Sequence, residues 1–238
     1  MTVDFLGTLD QAVLFAMNGF VGEWPGFDRG LGVLTDWRFF RCAPLAGFVL
    51  WAWFRDADPT ARSRLIAGLA GVTLAVLVAV LVQALAPVHA RPFVMARDLG
   101  LRIPDRLTTN WGHGNSFPSD TATLHFALAA LVWSVSRRWG SVAMVWVTVL
   151  VAVPRAYLLY HWPSDILVGA LIGVGGVHIL INSAWSVDVS RRMLDWGLCY
   201  PQFFYPALFF VLYQFVDAFD AADVVLYQLR HGRLLATG

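Results

Sequence analysis

An arginine, a histidine and an aspartate lie close together in an otherwise apolar stretch: Arg155, His161 and Asp165. Asp165 is four residues after His161, so its carboxylate can accept from one ring nitrogen and leave the other as a base or nucleophile. Arg155 adds a planar, bidentate donor for phosphate or carboxylate. The same side chains would also fit a structural role, capping helix ends and extending to a membrane interface. The stretch therefore indicates either an anion-handling site or interfacial caps.

Two other polar stretches interrupt the apolar sequence, at residues 89–92 and 117–120. The second has the composition of a helix start, and we expect Ser119 or Asp120 to cap the helix that follows. Asp165 is likewise expected in the first turn of a helix, where a carboxylate interacts favourably with the helix dipole.

The composition excludes a water-soluble globule. Over 238 residues, 58% are hydrophobic and 14% charged, and the mean hydropathy is +0.61. A membrane-spanning helix needs about 20 mainly apolar residues, so we predict an all-α, polytopic transmembrane bundle of five to six spans. It forms one domain over residues 1–238, with the motif-bearing core at about 65–185 and an interfacial helix at 5–20. The predicted spans lie at residues 42–54, 65–87, 121–135, 141–159, 164–185 and 203–215.

The distribution of arginines predicts an orientation for this bundle. If the spans alternate, seven arginines in short links fall on one side, which should be cytoplasmic. The polar stretches at 89–92, 117–120 and 155–165 then share the opposite face. These arginines are Arg55, Arg62, Arg64, Arg137, Arg138, Arg191 and Arg192.

Charge and cysteine content give no indication of other partners. The net charge of +1 makes nucleic acid an unsuitable ligand. Cys42 and Cys199 are isolated, so neither a disulfide framework nor a metal site is indicated. We expect no metal and no cofactor, and the sequence leaves the oligomeric state open.

The stretch at 154–165 resembles the third signature of the type 2 phosphatidic acid phosphatase superfamily, S-R-x-x-x-x-x-H-x-x-x-D. Arg155, His161 and Asp165 match it, and Pro154 stands at the serine position. The order and spacing of two further signatures support the resemblance.

The second signature, P-S-G-H, resembles residues 118–121 in the P-S-D-H form found among undecaprenyl pyrophosphate phosphatases. Arg91 and Pro92 resemble the end of the first signature, K-x-x-x-x-x-x-R-P. The three signatures, with the spans around them, cover about residues 65–185. The related soluble vanadium haloperoxidases share these motifs, but the hydropathy of this chain argues against that class.

The resemblance implies metal-independent phosphoryl transfer on a lipid phosphate or diphosphate. By analogy, His161 attacks phosphorus and becomes phosphohistidine, while Asp165 orients it. The phosphate oxygens would be held at a helix N-terminus, which suits anions. The groups implied in phosphate binding are Arg91, Arg155, the Ser119 hydroxyl and backbone N–H groups near Asp120.

Two departures from the family pattern affect this expectation. Ala84 stands at the lysine position of the first signature, and the chain contains no lysine, so Arg97 or Arg102 is the expected compensating cation. Thr121 stands at the histidine position of the second signature, the residue that protonates the leaving group in the family. General acid catalysis typically contributes about 100-fold to 10,000-fold.

The missing acid favours one substrate class over another. An alkoxide needs a proton to leave, whereas the phosphate expelled from a diphosphate is already a stable anion. We therefore predict a lipid diphosphate over a lipid monophosphate. The candidate substitute donors are His125, His113 and His89; our preferred interpretation is that His125 is a buried hydrogen-bonded group and that the other two are loop residues.

Our leading hypothesis is a lipid diphosphate phosphatase or phosphotransferase on the outer face of a bacterial inner membrane. A hydrolase and a transferase differ only in the acceptor, so the sequence does not separate them. The alternative is a catalytically weakened relative that binds phospholipid or polyprenyl phosphate as an accessory protein. A transporter or channel is disfavoured because the polar groups cluster at one surface instead of following a path.

Overall fold

The computed structural model describes residues 5–55, 58–104 and 115–230, and every regular element in these ranges is a helix. The all-α prediction is confirmed. The helices are α1 Phe5–Asn18, α2 Pro25–Asp36, α3 Arg38–Arg55, α4 Pro59–Leu85, α5 Asp120–Val135, α6 Arg137–Val147, α7 Val153–Tyr157, α8 Pro163–Asn182, α9 Ala184–Cys199 and α10 Pro201–Arg230. A π-helical segment, Thr148–Ala152, joins α6 to α7.

Three segments of the described chain are long and apolar enough to cross a membrane. They are α4, the continuous segment Arg137–Tyr157 that contains α6 and α7, and α8. The α5 helix is apolar but shorter. Fewer segments meet this criterion than the five to six spans expected from the sequence, partly because α3 carries Arg38 and Arg41 in its first turns.

The centre of the bundle is formed by α4, α5 and α8, which pack closely through small residues. A Cβ at Gly169 would overlap the Ser119 carbonyl oxygen at the start of α5, and one at Gly173 would overlap the Thr123 carbonyl oxygen. A Cβ at Gly176 would lie 3.0 Å from the carbonyl oxygen of Gly71 on α4. These contacts fix the start of α5 against α8, because small residues let two helix backbones approach closely.

The first helix, α1, is attached to the start of α8. Asp10 is only 7% exposed; its carboxylate accepts from the Ser164 backbone N–H at 2.8 Å and from the Ser164 hydroxyl at 2.5 Å. The apolar side chains of Leu9, Val13 and Phe15 are exposed, which suits a helix lying in a membrane interface.

Arginines also gather at one end of the bundle. Arg55, Arg64 and Arg137 line a single cavity of about 990 Å³. None of the residues predicted for the site lines this cavity. The grouping agrees with the placement of these three arginines on one side of the membrane.

The close approach at Gly173 yields a stability prediction. We expect Gly173→Ala to lower the free energy of unfolding by about 1 to 3 kcal/mol, because the new methyl group overlaps the α5 backbone. Gly175 of the same helix has open space around its Cβ position, so Gly175→Ala should be neutral or slightly stabilising. Thermal unfolding of the purified variants measures both. Equal unfolding temperatures for the two would contradict the described packing of α5 on α8.

Candidate active site

The three polar stretches meet at one end of α5 and α8. The Ser116 N–H donates to the His89 carbonyl at 2.9 Å, and the Ser119 N–H donates to the Asp165 carbonyl at 3.0 Å. Arg91 Nη1 donates to the Tyr160 carbonyl at 3.2 Å. Segments far apart in the sequence are therefore joined by direct hydrogen bonds.

A tight turn between α7 and α8 aims His161 into this site. Both the Tyr160 and the His161 N–H groups donate to the Arg155 carbonyl, at 2.9 and 3.3 Å. Leu159 has a φ of 59°, a left-handed conformation that costs a non-glycine residue about 1 to 2 kcal/mol. Burial of the Leu159 side chain and a bond of 3.1 Å from Phe93 N–H to its carbonyl hold the turn in place.

The contacts of His161 define its tautomer. Nδ1 lies 2.9 Å from the Ser116 carbonyl oxygen, which can only accept, so Nδ1 carries the proton. Nε2 then has the lone pair, and it lies 3.3 Å from Arg91 Nη1. The side chain is 1% exposed. Nε2 is therefore the nitrogen available as a nucleophile.

Asp165 is completely buried and is surrounded by donors. It accepts from the Ser116 hydroxyl at 2.5 Å, from the Trp162 N–H at 3.0 Å and from His89 Nδ1 at 3.2 Å. Its distance to His161 Nδ1 is 3.8 Å. The expected pairing of Asp165 with His161 is thus present at ion-pair distance, while the short contact of the ring is with Ser116.

Ser116 is the site residue that sequence reasoning missed. It is fully buried, its hydroxyl binds Asp165, and its carbonyl binds His161. The only signal in the sequence was its position in the polar run before Pro118. The His161 ring is therefore oriented by the Ser116 carbonyl, and the Asp165 carboxylate beside it is held by the Ser116 hydroxyl.

Burial lowers the pKa of His161 below the usual histidine value of 6.5, and the positive charge of Arg91 lowers it further, while the nearby carboxylate of Asp165 opposes both. The ring is consequently neutral at neutral pH. A neutral imidazole with an unprotonated Nε2 is the reactive form of a histidine nucleophile.

Two guanidinium groups lie near the His161 ring. Arg91 is 8% exposed, and the guanidinium of Arg155 lies 5.9 Å from the Tyr160 ring centroid. Among the described residues, neither Arg91 Nε nor Arg155 Nε has a hydrogen-bond partner. A buried donor without an acceptor is costly, so this part of the site is suited to an anion.

The start of α5 lies beside these arginines. Ser119 is the N-cap, and its hydroxyl oxygen accepts from the Ala122 N–H at 3.3 Å. The predicted helix start is confirmed. Asp120 Oδ1 accepts from the Thr121 N–H at 2.6 Å and from the Thr121 hydroxyl at 3.3 Å. Two N–H groups of the first turn are therefore capped by the chain itself, and the Ser119 hydroxyl hydrogen has no acceptor among the described residues, so it can donate to an anion.

The candidate proton donors are placed unfavourably for protonating a leaving group. His125 is 2% exposed and has both ring nitrogens engaged, Nδ1 with the Thr121 carbonyl at 2.7 Å and Nε2 with Cys42 Sγ at 3.2 Å. His89 binds the same carboxylate that lies beside Nδ1 of His161, and so lies behind the nucleophile, away from Nε2. His113 lies outside the described residues.

The arginines expected to replace the missing lysine lie elsewhere. Arg102 donates to Glu23 at 2.9 Å with its side chain 59% exposed, and it also binds the Val21 carbonyl. Arg97 is exposed. Both side chains are therefore exposed, whereas Arg91 is buried.

Sequence comparisons agree with this geometry. The PAP2 superfamily profile matches residues 75–187, a range that contains all three polar stretches. The putative undecaprenyl-diphosphatase YbjG of Escherichia coli (strain K12) is 34% identical over 158 residues, covering 64% of this chain and 73% of that protein. The lipid A 1-diphosphate synthase of the same organism is 27% identical over 193 residues, covering 78% of this chain and 79% of that protein. No solved structure matches the chain.

The tautomer and the lowered pKa of His161 can be tested together. In NMR spectra of protein labelled with ¹⁵N-histidine, we expect the His161 ring to carry its proton on Nδ1 at pH 7. As pH falls through 6.5, where an ordinary histidine gains its second proton, His161 should stay neutral and titrate only at lower pH. The signals that disappear in the spectrum of His161→Gln are those of His161. Protonation of His161 at or above pH 6.5 would contradict the described environment.

Proposed function

This chain belongs to the PAP2 superfamily, and we propose that it is a membrane-embedded phosphatase or phosphotransferase that acts on a lipid diphosphate through a phosphohistidine at His161. The observation that carries the proposal is the position of His161: a buried, neutral ring with Nδ1 on a carbonyl and Nε2 beside Arg91. A nucleophile beside a buried cation is the arrangement that phosphoryl transfer needs.

The proposed reaction has two steps. Nε2 of His161 attacks the terminal phosphorus, and the bond from that phosphorus to the bridging oxygen breaks. The electron pair leaves with the bridging oxygen on a lipid monophosphate. Water then attacks phosphorus, breaks the P–N bond, and releases inorganic phosphate and a proton while His161 returns to its neutral form. In a transferase, a second acceptor takes the place of water.

Each neighbouring residue has a role in this scheme. Arg91, Arg155 and the Ser119 hydroxyl hold the oxygens of the transferred phosphoryl group, whose negative charge is spread over its oxygens in the transition state. Asp165 and Ser116 keep the ring oriented and stabilise the positive charge that the imidazole gains when Nε2 bonds to phosphorus. The fold supplies this charge stabilisation through groups already held in place.

The substrate preference follows from Thr121. Its hydroxyl cannot serve as an acid near neutral pH, and the described histidines are engaged or lie behind the nucleophile. From a lipid monophosphate the leaving group would be the alkoxide of the lipid alcohol, whereas from a lipid diphosphate the leaving group is a lipid phosphate. The names of the two relatives, one a putative undecaprenyl-diphosphatase and one a lipid A 1-diphosphate synthase, both refer to lipid diphosphates.

Charge distribution supports a location for the reaction. We place the site at the outer face of a bacterial inner membrane, because Arg55, Arg64 and Arg137 lie together at a cavity that excludes the site residues and basic ends favour the cytoplasm. The lipid tail would lie between spans. The competing hypothesis, a weakened relative that only binds a lipid phosphate, rests on Ala84 and Thr121.

Phosphate release by the purified protein tests the proposal. We expect turnover of a polyprenyl diphosphate. Polyprenyl monophosphate and phosphatidic acid should be turned over at least about 100-fold more slowly. His161→Ala should lower kcat by at least about four orders of magnitude, because removing a nucleophile removes the covalent route. His178→Ala is the matched control, since His178 is exposed and bonds only within its own helix.

Three results would count against parts of this account. Turnover that survives His161→Ala would contradict the mechanism. A preference for the monophosphate would contradict the leaving-group argument. A wild type without activity, combined with activity in Thr121→His, would favour the binding hypothesis.

A further inference from the structure

The cation missing from the first signature raises a question about charge in the site. Residue 84 is alanine, and Arg97 and Arg102 lie away from the buried arginines. A diphosphate carries more negative charge than the single phosphoryl group that Arg91 and Arg155 flank. A further cation near the start of α5 would therefore complete the site for that substrate.

Arg41 is in the right place to supply that charge. It lies in the first turns of α3 and is 7% exposed. The next residue, Cys42, places its Sγ 3.2 Å from His125 Nε2, and His125 Nδ1 lies 2.7 Å from the Thr121 carbonyl. The beginning of α3 is therefore held beside the first two turns of α5, on the side where Thr121 replaces the family's histidine.

Electrostatic contacts connect Arg41 to the known site. Its charge acts on His125 and on Arg155, and Arg155 is influenced in turn by Arg91 and Asp120. Like charges repel strongly in a poorly solvated interior. Three arginines whose charges act on one another, with Asp120 beside them, make this part of the bundle strongly cationic and suited to a polyanion.

We propose that Arg41 forms a second phosphate subsite, which binds the phosphate that stays on the lipid and so makes the enzyme selective for diphosphates. The inference rests on the proposed function and adds a residue that no family signature contains. The terminal phosphate lies between His161, Arg91 and Arg155, and the lipid-linked phosphate lies toward Arg41 and the first turns of α5.

This subsite also compensates chemically for the missing acid. When the bridging P–O bond breaks, the electron pair moves onto an oxygen of the lipid-linked phosphate. A family histidine would neutralise that charge with a proton, whereas Arg41 would neutralise it as a fixed cation without proton transfer. Fixed charge at the point where negative charge develops is an effective form of transition-state stabilisation.

The subsite is tested by binding of two inorganic probes to the full-length protein. Isothermal titration with inorganic pyrophosphate and with inorganic phosphate compares wild type, Arg41→Gln and Arg41→Lys. We expect Arg41→Gln to weaken pyrophosphate binding by about 10-fold to 100-fold, the effect of losing one charge-assisted hydrogen bond, and phosphate binding by less than about 3-fold. Arg41→Lys should retain pyrophosphate binding within about 5-fold.

Arg102→Gln is the matched control, because it removes the same charge from an exposed side chain and should change neither affinity. In turnover assays, Arg41→Gln should lower kcat/KM for the lipid diphosphate by a similar factor and lower the monophosphate rate by much less. Equal weakening of both probes, or no change in either, would overturn the subsite. A wild type that binds pyrophosphate through Arg41 but does not release phosphate would refute the proposed hydrolysis and leave the subsite standing.

Discussion

Asp165 is a completely buried carboxylate in an apolar helical bundle, and a group of this kind is stable only when several donors surround it. Its donors come from segments distant in the sequence: the Ser116 hydroxyl, the Trp162 N–H and the His89 ring. Hydrogen bonding to this one carboxylate therefore requires three segments to lie together: the loop before α5, the turn before α8 and the segment after α4. The same arrangement places the Ser116 carbonyl within hydrogen-bond distance of His161 Nδ1. The hydrogen bonds to Asp165 that order these loops therefore also orient the His161 ring.

The arginines of the site differ from Asp165 in how far their hydrogen-bonding groups are satisfied. Asp165 is surrounded by neutral donors and a histidine, while Arg91 and Arg155 each keep a buried Nε without an acceptor among the described residues. Arg41 adds a third buried charge from α3. A site organised in this way favours a ligand that brings its own negative charge, and it has little means of delivering a proton. Both properties favour a diphosphate, whose leaving group is already an anion.

The sequence was sufficient for the features that depend on local pattern. Hydropathy predicted an all-α fold, and the composition of residues 117–120 predicted a helix start with Ser119 or Asp120 as its cap, of which Ser119 is the one observed. The roles of Ser116, Asp10 and Arg41 could not be predicted. Each depends on a partner far along the chain, such as Asp10 and Ser164, which are 154 positions apart, and none has a local spacing that distinguishes it from an ordinary polar residue. For the same reason, sequence alone could not show that the side chains of Arg97 and Arg102 are exposed.

Trapping of the covalent intermediate tests the central claim most directly. The protein would be mixed with a polyprenyl diphosphate carrying ³²P in its terminal phosphate, quenched in alkali within milliseconds to seconds, and digested for peptide mapping. The account predicts an acid-labile, alkali-stable label on the peptide that contains His161, and its absence from His161→Ala. Phosphate release by wild type without label on that peptide, or label that persists in His161→Ala, would contradict it.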